Sequence, residues 1–481
     1  MRTAYSVESV RAGERVLMDR GPEGVLMQRA AAGLAAECAR LLGKVYGARV
    51  TLLVGSGDNG GDALYAGARL ARRGAGVSAV LLAPERTHAG GLAALRAAGG
   101  VVVGADEERA EGVVARAGLV VDGIVGIGGR GGLREDAVRL VTAVRDDAVV
   151  VAVDLPSGVD ADTGEVHGDA VRADVTVTFG AYKPGLLIDP GREHAGVVRL
   201  VDIGLTPAEL GRAAAEALQF ADVERLLPVP GGESDKYRRG VVGIVAGSER
   251  YPGAAVLSVA GALRGGAGAV RYVGPAADAV IARFPETLVS AGPPSKAGRV
   301  QAWVVGPGLG EDAERLGEVL AADVPVLIDA DGLRLAGERD VRERRAPTLL
   351  TPHAGEAAAL LGVAREEVEA GRLTAVRDLA RRYGATVLLK GSTTLVASGE
   401  GPVRVNPTGT PWLATAGSGD VLSGLAGSLL AAGLGARDAG SVGAYLHGLA
   451  GRHASRGAPV GAQDVANAIP EVWREVGRPD R

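Results

Sequence analysis

The feature that most constrains this chain is an alternation. Short Val-rich apolar runs, about four to six residues long, are each followed by an Ala- and Arg-rich segment of helical period. In the first half the runs VTLLVG, VSAVLL, VVVG, LVVDGIVG and VVVAVDLPSG follow this pattern, and DVTVTF and GVVRLVDIG close the series near residue 204. Runs this short and this uniformly apolar belong in a parallel sheet covered on both faces. A second series starts at VVGIVAGS and continues through VRYVG, WVVGPGLG, VPVLIDADG, TLLTPHAGE, ATVLLKG, TTLVAS and GPVRVN, ending in three helical patterns between Gly419 and Val476. Both halves run from a strand into a loop containing Gly-Ser, VGSGDNGGD and VAGSERYPGA, but nothing else aligns. Two different α/β folds in one chain are expected.

Two further helical patterns, Ser6 to Asp19 and Pro22 to Leu42, precede the first series as a packing arm, the second with Pro in its first turn. After Thr206 an Ala/Glu-rich helix is expected. The Pro/Gly-rich stretch LLPVPGGESDKYRRG then reads as the junction, near residue 215, which divides the chain into 1–214 and 215–481. Each part is long enough to bury a full core.

The charge balance, 53 basic against 57 acidic residues, leaves no basic face to displace counterions, so nucleic acid is excluded as a partner. The opening MRTAYSVESVRAGERV has no apolar leader, and the longest uncharged stretch, Val421 to Ala436, is shorter than the roughly 20 residues that span a bilayer. A cytoplasmic protein with no membrane partner is expected. A single cysteine, Cys38, and six scattered histidines exclude a disulfide and a standard structural zinc set. The basic residues are almost all Arg; only Lys44, Lys183, Lys236, Lys296 and Lys390 stand against that bias, which singles them out among the cations of the chain.

Chemistry gathers in the loops after the strands. GSGDNGGDA, from Gly55 to Ala63, lies between a strand and a helix, where backbone N–H groups can cradle phosphate. Its spacing differs from the dinucleotide fingerprint, and taken singly it fits a tight Asn-Gly turn equally well. LVVDGIVGIGGRGG and VAVDLPSGVDADTG set Asp122 and Asp154 at strand ends, the ligand edge of an open α/β sheet, although an Asp there also serves as a loop anchor. With Asn59 and Ser157 they would converge on one crevice. In the second half TAGSGDVLSG, from Thr415 to Gly424, brings backbone amides and Asp420 to a helix start. An Asp there can take a proton from a hydroxyl held against phosphate, or simply occupy a favourable first turn. KGSTT adds Lys390 and hydroxyls, PHAGE adds His353 and Glu356, and GPGLG and DADG, from Asp329 to Gly332, complete a set of turns that persuades only as a set.

The order of GSGDNGGD, DGIVGIGG, VDLPSGVDADTG, GSERYPGAA, VVGPGLG, LTPHAGE, LKGSTT and AGSGDVLSG resembles the bifunctional NAD(P)H-hydrate repair enzymes over nearly the whole chain. The resemblance implies an N-terminal Rossmann-like α/β/α domain, 1–214, that epimerises the R and S hydrates. It also implies a C-terminal ribokinase-like α/β domain, 215–481, that dehydrates (S)-NAD(P)HX at the expense of ADP or ATP with Mg²⁺, releasing AMP and phosphate where ADP is used. By the same resemblance the epimerase binds substrate through Asp58, Asn59, Gly60, Gly61, Asp62, Gly126, Ile127, Gly128, Gly129, Arg130, Gly131, Gly132 and Asp154, with Asp154 as acid/base. Potassium would sit on Asn59, Asp122 and Ser157, all hard oxygen donors. The dehydratase would bind substrate through Ala255, Gly308, His353 and Asp420, with Asp420 as base, and nucleotide through Lys390, Gly391, Ser392, Thr393, Thr394 and Gly419. A homo-oligomer is expected. Two residues depart from the family's Asn-Asn-Gly-Gly-Asp-Gly: Asp58 replaces the first Asn and Ala63 the last Gly. A ribokinase-like small-molecule kinase, with an N-terminal part that only binds nucleotide, would share the AGSGD loop and differs by making a stable phosphorylated product.

Overall fold

A computed structural model of the chain describes every residue except Glu23, Arg130, Glu400 and 478–481. Arg130, an expected substrate contact, therefore lies outside the described residues. The chain forms two compact units, one of Thr3–Ala215 and one of Glu216–Arg481 together with Met1–Arg2.

In the first unit β1 (Arg49–Val54), β2 (Gly76–Leu81), β3 (Val101–Gly104), β4 (Leu119–Gly123), β5 (Val149–Val153), β6 (Val175–Phe179) and β7 (Val197–Val201) form a parallel sheet in the order β3-β2-β1-β4-β5-β6-β7. Successive side chains of a strand point to opposite faces. Accordingly Val50, Leu52 and Val54 join the core under helix Val25–Leu42, while Leu53 joins a second core with Ala110, Val114 and Leu140. Both faces are covered, as the apolar runs require. Strand order reverses between β1 and β4, so the crevice for a ligand opens beyond their carboxyl ends.

Two local expectations are corrected. The second helix starts at Val25, not in the turn of Pro22, because Gly24 adopts a left-handed conformation (φ 76°) and caps it. The Ala/Glu-rich segment after Thr206 is only the short helix Pro207–Leu210, stopped by Gly211 at φ 67°, followed by a strand at Ala215–Ala217. The Pro/Gly-rich stretch 226–240 lies inside the second unit, whose core includes Leu218, Val223 and Leu227.

The second unit contains β8 (Val241–Val245), β9 (Ala269–Val273), β10 (Leu288–Ser290), β11 (Ala302–Val305), β12 (Val326–Ile328), β13 (Thr348–Leu350), β14 (Thr386–Leu389), β15 (Thr394–Ala397) and β16 (Val403–Asn406). They stand in the order β10-β9-β8-β11-β12-β13-β14-β15-β16, parallel as far as β14 and antiparallel beyond. Helices Ser418–Ala431, Ala436–Ser455 and Ala462–Val476 cover one face, packing on Ile244, Val304, Leu327, Leu349 and Leu388. The loops after β8, β11, β12, β13 and β14 all leave from the same edge, since those strands are parallel. No described helix is long and apolar enough to cross a membrane.

Candidate active sites

The first site is built where β1 and β4 diverge. Their loops run so close that a Cβ on Gly55 would lie 1.8 Å from the Ile124 carbonyl oxygen, and one on Gly126 would lie 2.3 Å from Asn59 Oδ1. Glycine at both positions is therefore steric necessity. Helix Asp58–Arg72 starts there, and the Asn59 amide donates to the Val153 carbonyl at 2.6 Å, tying the helix to the end of β5. Ala63 is buried, and a Cβ on Gly123 would lie 2.8 Å from its methyl, so the alanine packs directly on the glycine. Asp58, the other departure, is exposed in the helix's first turn at the mouth of the cleft.

Asp122 is fully buried. Its Oδ1 accepts from Ser157 Oγ (2.6 Å) and Ile124 N (3.2 Å), and its Oδ2 from Ser157 N (2.8 Å). Burial pushes its carboxyl up to about 6, and the hydrogen bonds from Ser157 and Ile124 only partly oppose this. Ser157 Oγ and the Val125 carbonyl, 3.1 Å apart, add two oxygens beside it. Asp154 ends β5 with φ 66°, a strained conformation for a non-glycine residue. The strain is held by a buried ion pair with Lys183 and by hydrogen bonds to its Oδ1 from Thr178 Oγ1 (2.9 Å) and Phe179 N (3.1 Å). The Lys183 ammonium also donates to Thr178 Oγ1 (3.0 Å) and the Phe179 carbonyl (3.2 Å), so all three of its hydrogens are placed. Sequence reasoning assigned Lys183 no role, although its rarity among Arg residues was a signal.

A cleft of about 510 Å³ gathers Asp58, Asn59, Asp62, Gly126, Ile127, Gly128, Gly129 and Asp154. Its remaining wall includes Arg11 and Glu14, from a helix that the sequence suggested only as packing. Gly131 and Gly132 line an adjoining cavity of about 260 Å³ with Arg86 and Arg134. The two cavities share Ser56, Ile124, Val125, Gly126 and Gly129. Gly60 and Gly61 line neither; they are buried against Gly55 and His88.

The second site is organised by two carboxylates and a lysine. Asp420 lies in the first turn of helix Ser418–Ala431, whose leading N–H groups have no partner within the helix. A Cβ on Gly419 would come within 3.4 Å of Lys390 Nζ, so the missing side chain leaves a gap between the helix start and the ammonium. Lys390 Nζ is 2.7 Å from Asp329 Oδ1 and 3.7 Å from Glu356 Oε2. Asp329 is buried and its other oxygen accepts from Ser423 Oγ at 2.6 Å. Burial opposes charge on Lys390, but the Asp329, Glu356 and Asp420 carboxylates outweigh it and hold the ammonium above its ordinary range. Burial, with Asp329 and Glu356 adding to it against Lys390, pushes the Asp420 carboxyl up to about 7. A base with that midpoint is matched to neutral pH.

Asp329 was legible only as part of a glycine turn; the fold makes it the partner of Lys390. The turns that persuaded as a set are physically joined: Gly310 N donates to Asp331 Oδ2 (2.8 Å), and a Cβ on Gly306 would strike the Asp329 carbonyl. In KGSTT, Gly391 and Ser392 are exposed while Thr393 and Thr394 are buried, and Arg372 clamps the loop through the Lys390 and Thr393 carbonyls (3.1 and 3.0 Å). His353 caps helix Ala354–Leu361 through Nδ1, which accepts from Gly355 N and Glu356 N, while its Nε2 lies 3.5 Å from Glu356 Oε1. Ala255 is buried and Gly308 packs on Tyr251 and Ala254. Both border, without lining, a cleft of about 740 Å³ walled by Ser248, Tyr251, Gly310, Asp312 and Arg315.

Comparison with known proteins finds two families along the chain. The family described as YjeF-related protein N-terminus matches residues 23–185, and the NAD(P)H-hydrate dehydratase family matches residues 242–471. The bifunctional NAD(P)H-hydrate repair enzyme of Mycobacterium tuberculosis is 51% identical over 445 residues, which is 90% of either chain. This chain belongs to the bifunctional NAD(P)H-hydrate repair enzymes. The Mycobacterium leprae enzyme is 50% identical over 457 residues, covering 93% of each chain. Among solved structures, the ADP/ATP-dependent NAD(P)H-hydrate dehydratase of Bacillus subtilis, co-crystallised with ATP and Mg²⁺, is similar to 54% of this chain and 97% of its own (TM-score 0.50, 28% identity). A ribokinase-like superfamily protein of Enterococcus faecalis shares the second unit's fold (TM-score 0.50, 24% identity).

Proposed function

We propose that the chain repairs hydrated nicotinamide nucleotides: its first unit epimerises the R and S forms of NAD(P)HX, and its second dehydrates the S form using ADP or ATP. The observation that carries the reading is the pair of distinct sites on one chain of this family, one centred on Asp154 and Lys183, the other on Asp420 and Lys390.

In the dehydratase, a phosphate between the Gly419 amide and Lys390 would meet donors from both sides. Asp420 removes the proton of the substrate hydroxyl, and that oxygen attacks the terminal phosphorus of the nucleotide. AMP leaves if ADP is used. The new phosphate ester then departs as inorganic phosphate while the neighbouring carbon loses a proton, restoring the ring double bond. Phosphate is a far better leaving group than hydroxide, which is what the nucleotide supplies. Magnesium would arrive with the nucleotide phosphates, since Asp329 and Glu356 already face Lys390 and no described group of three His, Cys, Asp or Glu side chains could hold a metal.

In the epimerase, Asp122, Ser157 and Asn59 suit potassium. A buried carboxylate with no cationic side chain acting on it among the described residues, beside hydroxyl and carbonyl oxygens, fits a weakly hydrated monovalent cation, which would neutralise the Asp122 charge. The experiment that tests the overall reading is a product balance. S hydrate and ADP should give NAD(P)H, AMP and phosphate in equal amounts. A stable phosphorylated product would instead support the small-molecule kinase.

A further inference from the structure

We propose that Asp62, in its carboxylic acid form, is a second catalytic residue of the epimerase, protonating the departing hydroxyl while Asp154 receives the proton of the returning water. This rests on the epimerase reading of the first unit.

The two carboxyl groups share one cleft but have opposite surroundings. Asp154 Oδ1 accepts from Thr178, Phe179 N and Lys183, three donors that stabilise a carboxylate. Asp62 is 94% buried by its relative exposure of 6%, and its Oδ1 has no hydrogen-bond partner among the described residues. Its charged neighbours are the carboxylates of Asp154, Asp58 and Glu14. A carboxyl group without donors, surrounded by like charge, keeps its proton. Burial first, then those three carboxylates, push it well above its ordinary range. Glu14 is itself raised, mainly by burial. Arg11 and Arg15 also line the cleft, and the His88 ring lies against the same helix at Gly61. An ion-paired carboxyl group and one whose Oδ1 meets no described donor, set in the same cleft, can serve as base and acid.

The substrate needs both. Water adds to an enamine so that the hydroxyl lands on the carbon bonded to nitrogen, because protonation of the other carbon leaves an iminium. Inversion can therefore run by leaving and return. Asp62 gives its proton to the hydroxyl as the C–O bond breaks; the nitrogen lone pair forms C=N⁺ and water is released. Water then adds to the opposite face, the π electrons return to nitrogen, and Asp154 takes the surplus proton. One proton has moved from Asp62 to Asp154, and exchange with water in the cleft resets the pair. The reverse inversion runs with the roles exchanged.

The test uses the full chain without nucleotide, so that only epimerisation proceeds, with R and S hydrates separated chirally. Asp62→Asn mimics the neutral acid in shape. We expect kcat to fall by about 10²- to 10⁴-fold with KM within a few-fold of wild type, and ADP-dependent dehydration of the S hydrate to be unchanged. In the wild type, kcat should decline on the alkaline side as Asp62 ionises, and each inversion in heavy-oxygen water should introduce one labelled oxygen. Wild-type kcat in Asp62→Asn overturns the proposal, as does a raised KM with kcat unchanged. Should the variant misfold, a wild-type rate that does not fall at high pH, or inversion without label, overturns it instead. Wild-type protein that fails to invert either hydrate overturns the epimerase reading itself.

Discussion

The base assigned to the dehydratase makes its pH dependence calculable. Asp420 has its midpoint near 7 because burial and the Asp329 and Glu356 carboxylates outweigh Lys390. The base form is required, so kcat/KM for dehydration should rise with pH through that midpoint: about half the sites are competent at neutral pH and about a tenth one unit lower. The neighbours then predict opposite displacements. Asp329→Asn removes a like charge and should shift the profile toward acid; Lys390→Met removes the attraction and should shift it toward alkali, measured at saturating nucleotide. Asp420→Asn should lower turnover by about 10²- to 10⁴-fold with nucleotide binding nearly intact, since the helix N-terminus is unchanged. The assay is recovery of reduced-nicotinamide absorbance from the S hydrate with excess ADP across the pH range. A profile flat from acid to alkaline pH, or displacements of the same sign in both neighbour variants, would refute the electrostatic argument.

Other variants test the remaining parts. Lys183→Met leaves Asp154 buried without its partner, which costs about 3–5 kcal/mol. Calorimetry should show the first unit's unfolding lowered by roughly 6–20 °C at about 2–4 °C per kcal/mol, with most of the loss restored by adding Asp154→Asn. Asp122→Asn should raise the potassium concentration needed for half-maximal epimerisation while leaving the rate at saturating potassium close to wild type; Asp154→Asn should lower that rate by about 10²-fold or more at every potassium concentration. Gly419→Ala sets a methyl in ordinary contact with Lys390 Nζ, in the gap proposed for the phosphate, and a clash with the bound phosphate costing about 1–3 kcal/mol should raise the nucleotide KM by roughly ten- to a hundred-fold.

Much of this was legible in the sequence because parallel strands announce themselves twice, as uniformly apolar runs and through the loops at their carboxyl ends. The placement of Asp122 and Asp154 follows directly from those runs, and that of Asp420 from its glycine-rich helix start. Pairing was not legible. Lys183 reaches Asp154 across 29 positions and Lys390 reaches Asp329 across 61, separations that only the fold closes. The DNGGDA segment shows its two acids but not their difference: Asp58 emerges at the mouth of the cleft, whereas Asp62, one helical turn on, is driven into the interior. Composition misled at Ala213 to Ala217, where alanine suggested helix and the chain, freed by the positive φ of Gly211, turned into a strand. The Pro/Gly-rich stretch suggested a linker because loop composition does not report which core the flanking residues join.

The central claim, two activities in one chain with separate residues, is tested most directly by giving the protein an equimolar mixture of R and S hydrates with ADP, over a time in which the free epimers do not interconvert. Wild-type protein should restore all of the reduced nucleotide, Asp154→Asn should stop when the S half is consumed, and Asp420→Asn should restore none. Wild-type recovery that stops at half, or that proceeds equally without nucleotide, would contradict the account.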